Sequence, residues 1–263
     1  MICVKGHVNM NKALTLVFLL AGAALSSVAV AAPPTQEALW RAFEGHWDNI
    51  NQVAPGRFEQ YEQPLTPEYA AKKRAIQKQR ADAIEIESAD NTCVPSGMPR
   101  MMLFGSMEIM VRPTSFGIVA TGGGLQLRNI WTDGRKHTPE DELFESFGGE
   151  SIGHWEGDTL VVDTIGLRPD NEFIYGIKGH KMTITERFRK TAPDMLEVQT
   201  TVNDPVVFTT PWKYTTTYKR APEKVIDEWV YCIPAFYRGV EKDGKAGFDL
   251  TPPPDQSGGA LPR

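Results

Sequence analysis

Three clusters of residues in this chain have the types and spacing to do chemistry. Thr132-Asp133-Gly134-Arg135-Lys136-His137 sets an acid, a guanidinium and an imidazole within six residues around a tight turn. Asp133 with His137 would form an oriented base, and Arg135 would hold an anionic group. Asp-Gly is equally what a type I′ hairpin turn requires, whereas no turn chemistry demands His137. Asp163 and Glu186 form the second cluster. Each shares an alternating face with β-branched or aromatic neighbours, Asp163 with Thr159, Val161 and Ile165, and Glu186 with Ile184 and Phe188. A buried unpaired charge is costly, so each acid must face a polar cavity, meet a cation or carry a raised pKa. Arg128, Arg187 and Arg189 are the candidate cations. An acid facing a barrel lumen is a candidate general acid or base, and a buried ion pair is the structural alternative. The third is Gly149-Glu150-Ser151-Ile152-Gly153, a G-x-S-x-G string. A nucleophile elbow needs a strand before the serine and a helix after it, yet His154-Trp155-Glu156-Gly157-Asp158 reads as a strand running into a hairpin.

The histidines are His7, His46, His137, His154 and His180. No two have metal-ligand spacing in sequence, although strands could bring His137 and His154 together across a hairpin; no metal and no cofactor are expected. Cys93 and Cys232 are an even pair once Cys3 is removed, and they read as a disulfide, with two buried thiols or a metal pair as alternatives. The bond would close a loop of about 140 residues, for which chain entropy gives an upper figure of roughly 5 kcal/mol.

The elements that must position these residues begin after a secretion signal. Lys5 and Lys12 precede an apolar run over 13–24 and small residues ending in Ala29-Val30-Ala31. That is a signal peptide cleaved near Ala31, too short to span a bilayer. Residues 1–31 hold two of the 28 basic residues and none of the 33 acidic ones, so the mature chain carries a formal charge of −7. An acidic chain without a basic stripe is not expected to bind nucleic acid, and no membrane insertion is expected after cleavage. The expected organisation is a helical and loop segment over 32–106 packing on a β domain over 107–247, followed by a flexible tail over 248–263.

Leu39, Trp40 and Phe43 recur at helical spacing after Thr35, and Thr66-Pro67-Glu68 caps a second, polar helix running to about Ala83. From Met107 the pattern becomes two-residue alternation with turn signals every eight to twelve positions, which predicts an antiparallel meander. Leu125, Leu127, Asn129 and Trp131 oppose Gln126, Arg128 and Ile130, and Thr132-Asp133-Gly134-Arg135 then supplies a hairpin turn. Gly157 centres another. Leu196, Val198, Thr200 and Val202 form one face, as do Trp212, Tyr214, Thr216 and Tyr218. The last strong strand is expected over 226–232. Eight to ten strands with no long helix between them predict a mostly β fold, a closed barrel or strongly curved sheet with two short N-terminal helices.

Two resemblances accompany these patterns. Gly45-His46-Trp47 after a short helix resembles the G-x-W string of lipocalin-like barrels, where the Trp plugs the barrel floor; a core tryptophan at a strand start is the plain alternative. Residues 60–235 resemble a recurrent group of secreted bacterial β-rich proteins. The match runs through Cys93-Val94-Pro95-Ser96-Gly97-Met98-Pro99, Thr132-Asp133-Gly134-Arg135, the string from Ser151-Ile152-Gly153-His154-Trp155-Glu156-Gly157-Asp158 to Thr164, Glu186-Arg187-Phe188, Asp204-Pro205 and Pro211-Trp212. The resemblance implies export and a β domain, and no established activity accompanies it.

Two functions follow. One is a periplasmic or secreted binding module whose lumen, lined by Trp131, Trp155, Trp212, Tyr214 and Tyr218 with Asp133, Arg135 and Arg187 as polar contacts, accepts a small apolar or aromatic molecule. The other is a metal-independent lyase, isomerase or hydrolase using His137 or His154 as base and Asp163 or Glu186 as acid, in the same cavity.

Overall fold

The computed structural model describes residues 36–51, 62–82, 94–121, 125–169, 171–174, 177–226, 236–240 and 246–249. The signal expected at 1–31, Cys93, Cys232, most of the strand expected over 226–232 and the residues beyond Asp249 lie outside them.

Both expected helices form. Helix α1 is Gln36–Arg41 and α2 is Pro67–Ala81. Proline suits the first helical position because its missing N–H has no intrahelical acceptor there. Glu68 pairs with Lys72 one turn on, at 2.8 Å, and Tyr69 and Ile76 of α2 pack against the core. A third helix of one turn, α3 (Arg100–Leu103), is fully buried.

The two-residue alternation becomes a barrel. Its strands are β1 (Gly45–Asn49), β2 (Met107–Arg112), β3 (Ser115–Ala120), β4 (Gln126–Trp131), β5 (Glu150–Glu156), β6 (Thr159–Ile165), β9 (Thr183–Ala192), β10 (Met195–Asn203) and β11 (Trp212–Arg220). They close in the order β1-β11-β10-β9-β6-β5-β4-β3-β2. The pairs β7 (Glu172–Ile174) with β8 (Ile177–Lys178), and β12 (Phe236–Val240) with β13 (Ala246–Asp249), are separate two-stranded ribbons. The mostly β barrel expected from periodicity is present and is consistent with the lipocalin-like resemblance, and Gly157, at φ +65°, turns β5 into β6 as anticipated.

Two features depart from the expected meander. The barrel begins at β1, inside the segment expected only to pack on it, and β1 pairs with β2 on one side and β11 on the other. Strands β4 and β5 run parallel, so the bend at Thr132-Asp133-Gly134-Arg135 is not a hairpin. Parallel neighbours cannot be joined by a two-residue turn; the chain makes an excursion over 132–149 and enters β5 in the direction it left β4.

Alternation decides what is inside. Trp212, Tyr214, Thr216 and Tyr218 on β11 and Leu196, Val198, Thr200 and Val202 on β10 are all buried. At one end Trp47, 0 % exposed, donates its indole N–H to the Phe43 carbonyl at 2.7 Å, and the Phe43 ring packs edge to face with Phe116 and Trp155. The Arg220 guanidinium stacks on Trp47 at 4.3 Å and donates to the carbonyls of Glu44 and Ala42, each at 2.6 Å. At the other end Met98, Met101, Met102 and Leu103 are buried. Their backbone is tied to the wall by Tyr218 Oη donating to Met102 O at 2.5 Å and Asn49 Nδ2 to Leu103 O at 2.9 Å.

Arg220 combines a stacked plane with two charge-assisted donors, a geometry an ammonium cannot copy. Arg220→Ala should therefore cost about 1–3 kcal/mol in chemical denaturation, and Arg220→Lys should recover less than half of it. Full recovery by lysine would show that charge alone matters there.

Candidate functional site

The polar centre of the barrel is built by parity. On β4, Arg128 and Ile130 point inward, and on β9 Ile184, Glu186 and Phe188 do. The Arg128 and Glu186 side chains are 1 % and 0 % exposed and form an ion pair through Nη2 and Oε2. Arg128 also donates from Nε to Ser151 Oγ at 3.1 Å and from Nη2 to Thr164 Oγ1 at 3.0 Å, and those two hydroxyls bond each other at 2.9 Å. Ser151 is thus a strand residue tied to a cation rather than to a base, with β6 and no helix after it. Arg128 Nη1 and Glu186 Oε1 have no hydrogen-bond partner among the described residues.

Desolvating two charges offsets much of their attraction, while removing one strands the other. Glu186→Leu or Arg128→Leu alone should cost about 3–5 kcal/mol, and the double variant should recover most of that loss. A double variant as unstable as the sum of the singles would mean the two residues act independently.

A second feature lies on the outer side of the same wall. Only Ile130 and Trp131 of β4 pair with Ser151 and Ile152 of β5. Before that register the strands separate, leaving a cleft of about 460 Å³ under the 132–149 excursion, lined among others by Leu127, Asn129, Trp131, Leu143, Phe144 and Glu150. Phe144 is 84 % and Leu127 60 % exposed. The chain turns into β5 at Gly149, φ +66°, where a Cβ would lie 2.6 Å from the Ile165 carbonyl oxygen; a side chain would push the strand out of place.

Glu150 organises the cleft's polar wall. Its Oε2 accepts the Thr138 N–H at 3.0 Å and lies 2.7 Å from His137 Nδ1, and its Oε1 accepts the Thr138 hydroxyl at 2.7 Å. Burial pushes this carboxyl up, but the bonds from Thr138 and His137 outweigh burial and hold it below the usual glutamate range. An ionised Glu150 only accepts, so the His137 proton sits on Nδ1. His137 Nε2 is buried and has no hydrogen-bond partner among the described residues, and neither does Asn129 Oδ1.

The residues expected to share one lumen are divided between the two faces. Glu186, Trp155, Trp212, Tyr214 and Tyr218 belong to the interior, with Trp155 at the α1 end. Trp131 faces out and carries the Arg135 guanidinium 3.9 Å above its ring. Asp133 accepts from Arg135 Nε at 2.9 Å and Nη2 at 2.6 Å, so these two charges satisfy each other instead of holding an anion. Asp163 also faces out, accepting the Thr185 hydroxyl at 2.8 Å, because β6 turns Leu160, Val162 and Thr164 inward opposite Trp155, Gly153 and Ser151. His154 and Arg187 meet at exposed Glu156, at 3.4 and 2.9 Å, on the outer wall. His137 and His154 therefore do not come together. Glu150 and Asn129 carried no local signal: a carboxylate thirteen residues from its histidine is joined to it only by the excursion.

No family model and no curated protein matches this chain. Among the described residues no three His, Cys, Asp or Glu side chains are grouped to hold a metal ion.

Glu150 has a folded-state pKa below its unfolded value, so its contribution to stability is complete above the ordinary glutamate range and disappears as pH falls through the folded value. Glu150→Gln should cost about 1–2 kcal/mol at neutral pH, and the gap to the parent protein should close as pH falls through the folded-state value, below the usual glutamate range. A gap independent of pH would assign the loss to packing.

Proposed function

We propose that the protein is an exported, soluble binding module that holds a small molecule with an apolar or aromatic body in the cleft beside β4 and β5. The observation that carries this reading is the cleft itself: a concave site beside Trp131, Leu127 and Phe144, with a fixed carboxylate and an amide oxygen in its walls. Ligand sites are typically concave with a few placed polar groups, and this cleft carries a larger polar share than most, with apolar contact confined to Trp131, Leu127, Leu143 and Phe144. The lumen aromatics Trp155, Trp212, Tyr214 and Tyr218 pack against or within the hydrophobic core, which favours the outer cleft over the interior. Export rests on the charged, apolar and small-residue segments within residues 1–31. Cys93 and Cys232 would be joined in that compartment.

The second reading is metal-independent acid–base chemistry, favoured by the Glu150–His137 contact, in which a carboxylate orients an imidazole. It ranks below binding because His137 Nε2, the atom that would move a proton, is buried.

Fluorescence tests the binding reading. Titrating the processed protein with small aromatic compounds should quench emission, and Trp131→Phe should remove most of the ligand-dependent part while leaving the five other tryptophans. A flat response across the panel, or quenching unchanged in Trp131→Phe, would move the site elsewhere.

A further inference from the structure

On β1, Trp47 and Asn49 turn inward, which leaves His46 and Asp48 on the outer face of the wall, yet His46 is only 5 % exposed. The chain that follows β11 covers it. The Ala221 N–H donates to His46 O at 3.1 Å, the Lys224 N–H turns back onto Ala221 O at 3.0 Å, and Lys224 Nζ pairs with the Asp48 carboxylate. Between this turn and the sheet lies a cleft of about 550 Å³. Residues directly opposite one another on paired strands share a face, so the registers His46↔Glu108 and Glu108↔Val119 set those three side chains in one row across its floor. Leu125, Pro222, Val225 and Ile226 supply apolar walls. Two acceptors meet on that floor. Burial pushes the Asp48 carboxyl up, but bonds from Lys224, Ser106 and His46 outweigh it and hold the group below the usual aspartate range. An ionised Asp48 only accepts, so the His46 proton lies on Nε2, 3.2 Å away. In the neutral ring Nδ1 then carries a lone pair, 3.3 Å from Glu108 Oε2. Neither Nδ1 nor the Glu108 carboxylate has a hydrogen-bond partner among the described residues.

We infer that this cleft is a second binding site, for a neutral alcohol or phenol whose hydroxyl donates to Glu108 and whose apolar body lies between Leu125 and Val225. Charge selects the neutral form. A cation would face Arg220 and Lys224, an anion would face Glu108, and all three residues line the cleft. A hydroxyl supplies the donor that the floor lacks without adding a charge to either side. Donating to Glu108 also relieves the contact between two acceptors, because the shared proton draws electron density away from the His46 lone pair. Concave, mainly apolar walls around a few placed polar groups are the usual form of a small-molecule site, and the volume suits a single-ring compound. The site shares no lining residue with the cleft beside β4 and β5 and does not depend on it.

The test sets p-cresol against toluene, p-toluate and 4-methylbenzylamine. Calorimetry on the processed protein gives affinity, and NMR of the His46 ring and of the Leu125 and Val225 methyls places each ligand. p-Cresol should bind about tenfold more tightly than toluene, the equivalent of one hydrogen bond, and more tightly than either ion, with shifts at all three residues. Glu108→Leu, a change on the outer face, should erase the difference between p-cresol and toluene while both still shift Leu125 and Val225. Equal affinity of p-cresol and toluene in the parent protein, or a preference for the amine or the acid, would overturn the inference. So would the absence of any response at His46, Leu125 and Val225. Shifts confined to Trp131 and Leu143 would put the ligand in the other cleft, overturning this site and leaving that reading intact.

Discussion

Closure of the barrel depends on five residues. Strand β1, Gly45–Asn49, is the shortest in the wall, yet it joins the first and last long strands through three register pairs on each side. So short a strand cannot hold both neighbours by its ladder alone. Trp47 and Arg220 supply the rest: the indole is pinned to α1 through the Phe43 carbonyl, and the guanidinium lies on its ring while gripping the backbone at Ala42 and Glu44. The helix, the first strand and the last strand are thereby one unit, and the aromatic floor of Phe43, Phe116 and Trp155 is built on it.

The interior then follows a less usual division. On β4 the inward position at mid-strand is taken by a charged residue, Arg128, while Leu127 stands in solvent. The inversion holds because β9 brings Glu186 to the same level and β5 and β6 add the Ser151 and Thr164 hydroxyls. Such a pair contributes little net stability relative to an apolar core, but any register in which only one partner entered the lumen would be severely penalised. It is a device for selecting the pairing of four strands at once.

That division also explains what could be read from the chain. Strands β10 and β11 were legible because, apart from Thr200 and Thr216, their inward residues are large or apolar and their outward ones are mostly polar. In β4 the alternation was legible but the inner face was not, since hydrophobicity points the wrong way and only the distant Glu186 resolves it. Asp163 misled for the converse reason: Val161 beside it is 5 % exposed although it faces outward, so an outer face looked like an inner one. The Asp-Gly bend was correctly a bend, but local sequence does not say which strand comes next to which. Two residues of the resemblance strings make structural bonds: Asp204 accepts the backbone N–H groups of His180, Val206 and Val207, and the Met98 carbonyl accepts from Asn171 Nδ2, which also donates to the Phe147 carbonyl.

The two-rung contact between β4 and β5 makes one line of the wall mechanically weak. Every other neighbouring pair around the barrel is tied by at least three rungs, and β9 with β10 by nine. Under pressure, heat or denaturant the wall will part first along that line. Directly behind it stand the paired charges, so the first water molecules through the breach meet the two side chains that gain most from hydration. The barrel's fault line and its most water-seeking residues coincide, which couples small openings of the wall to the ionic centre before the apolar floor is disturbed.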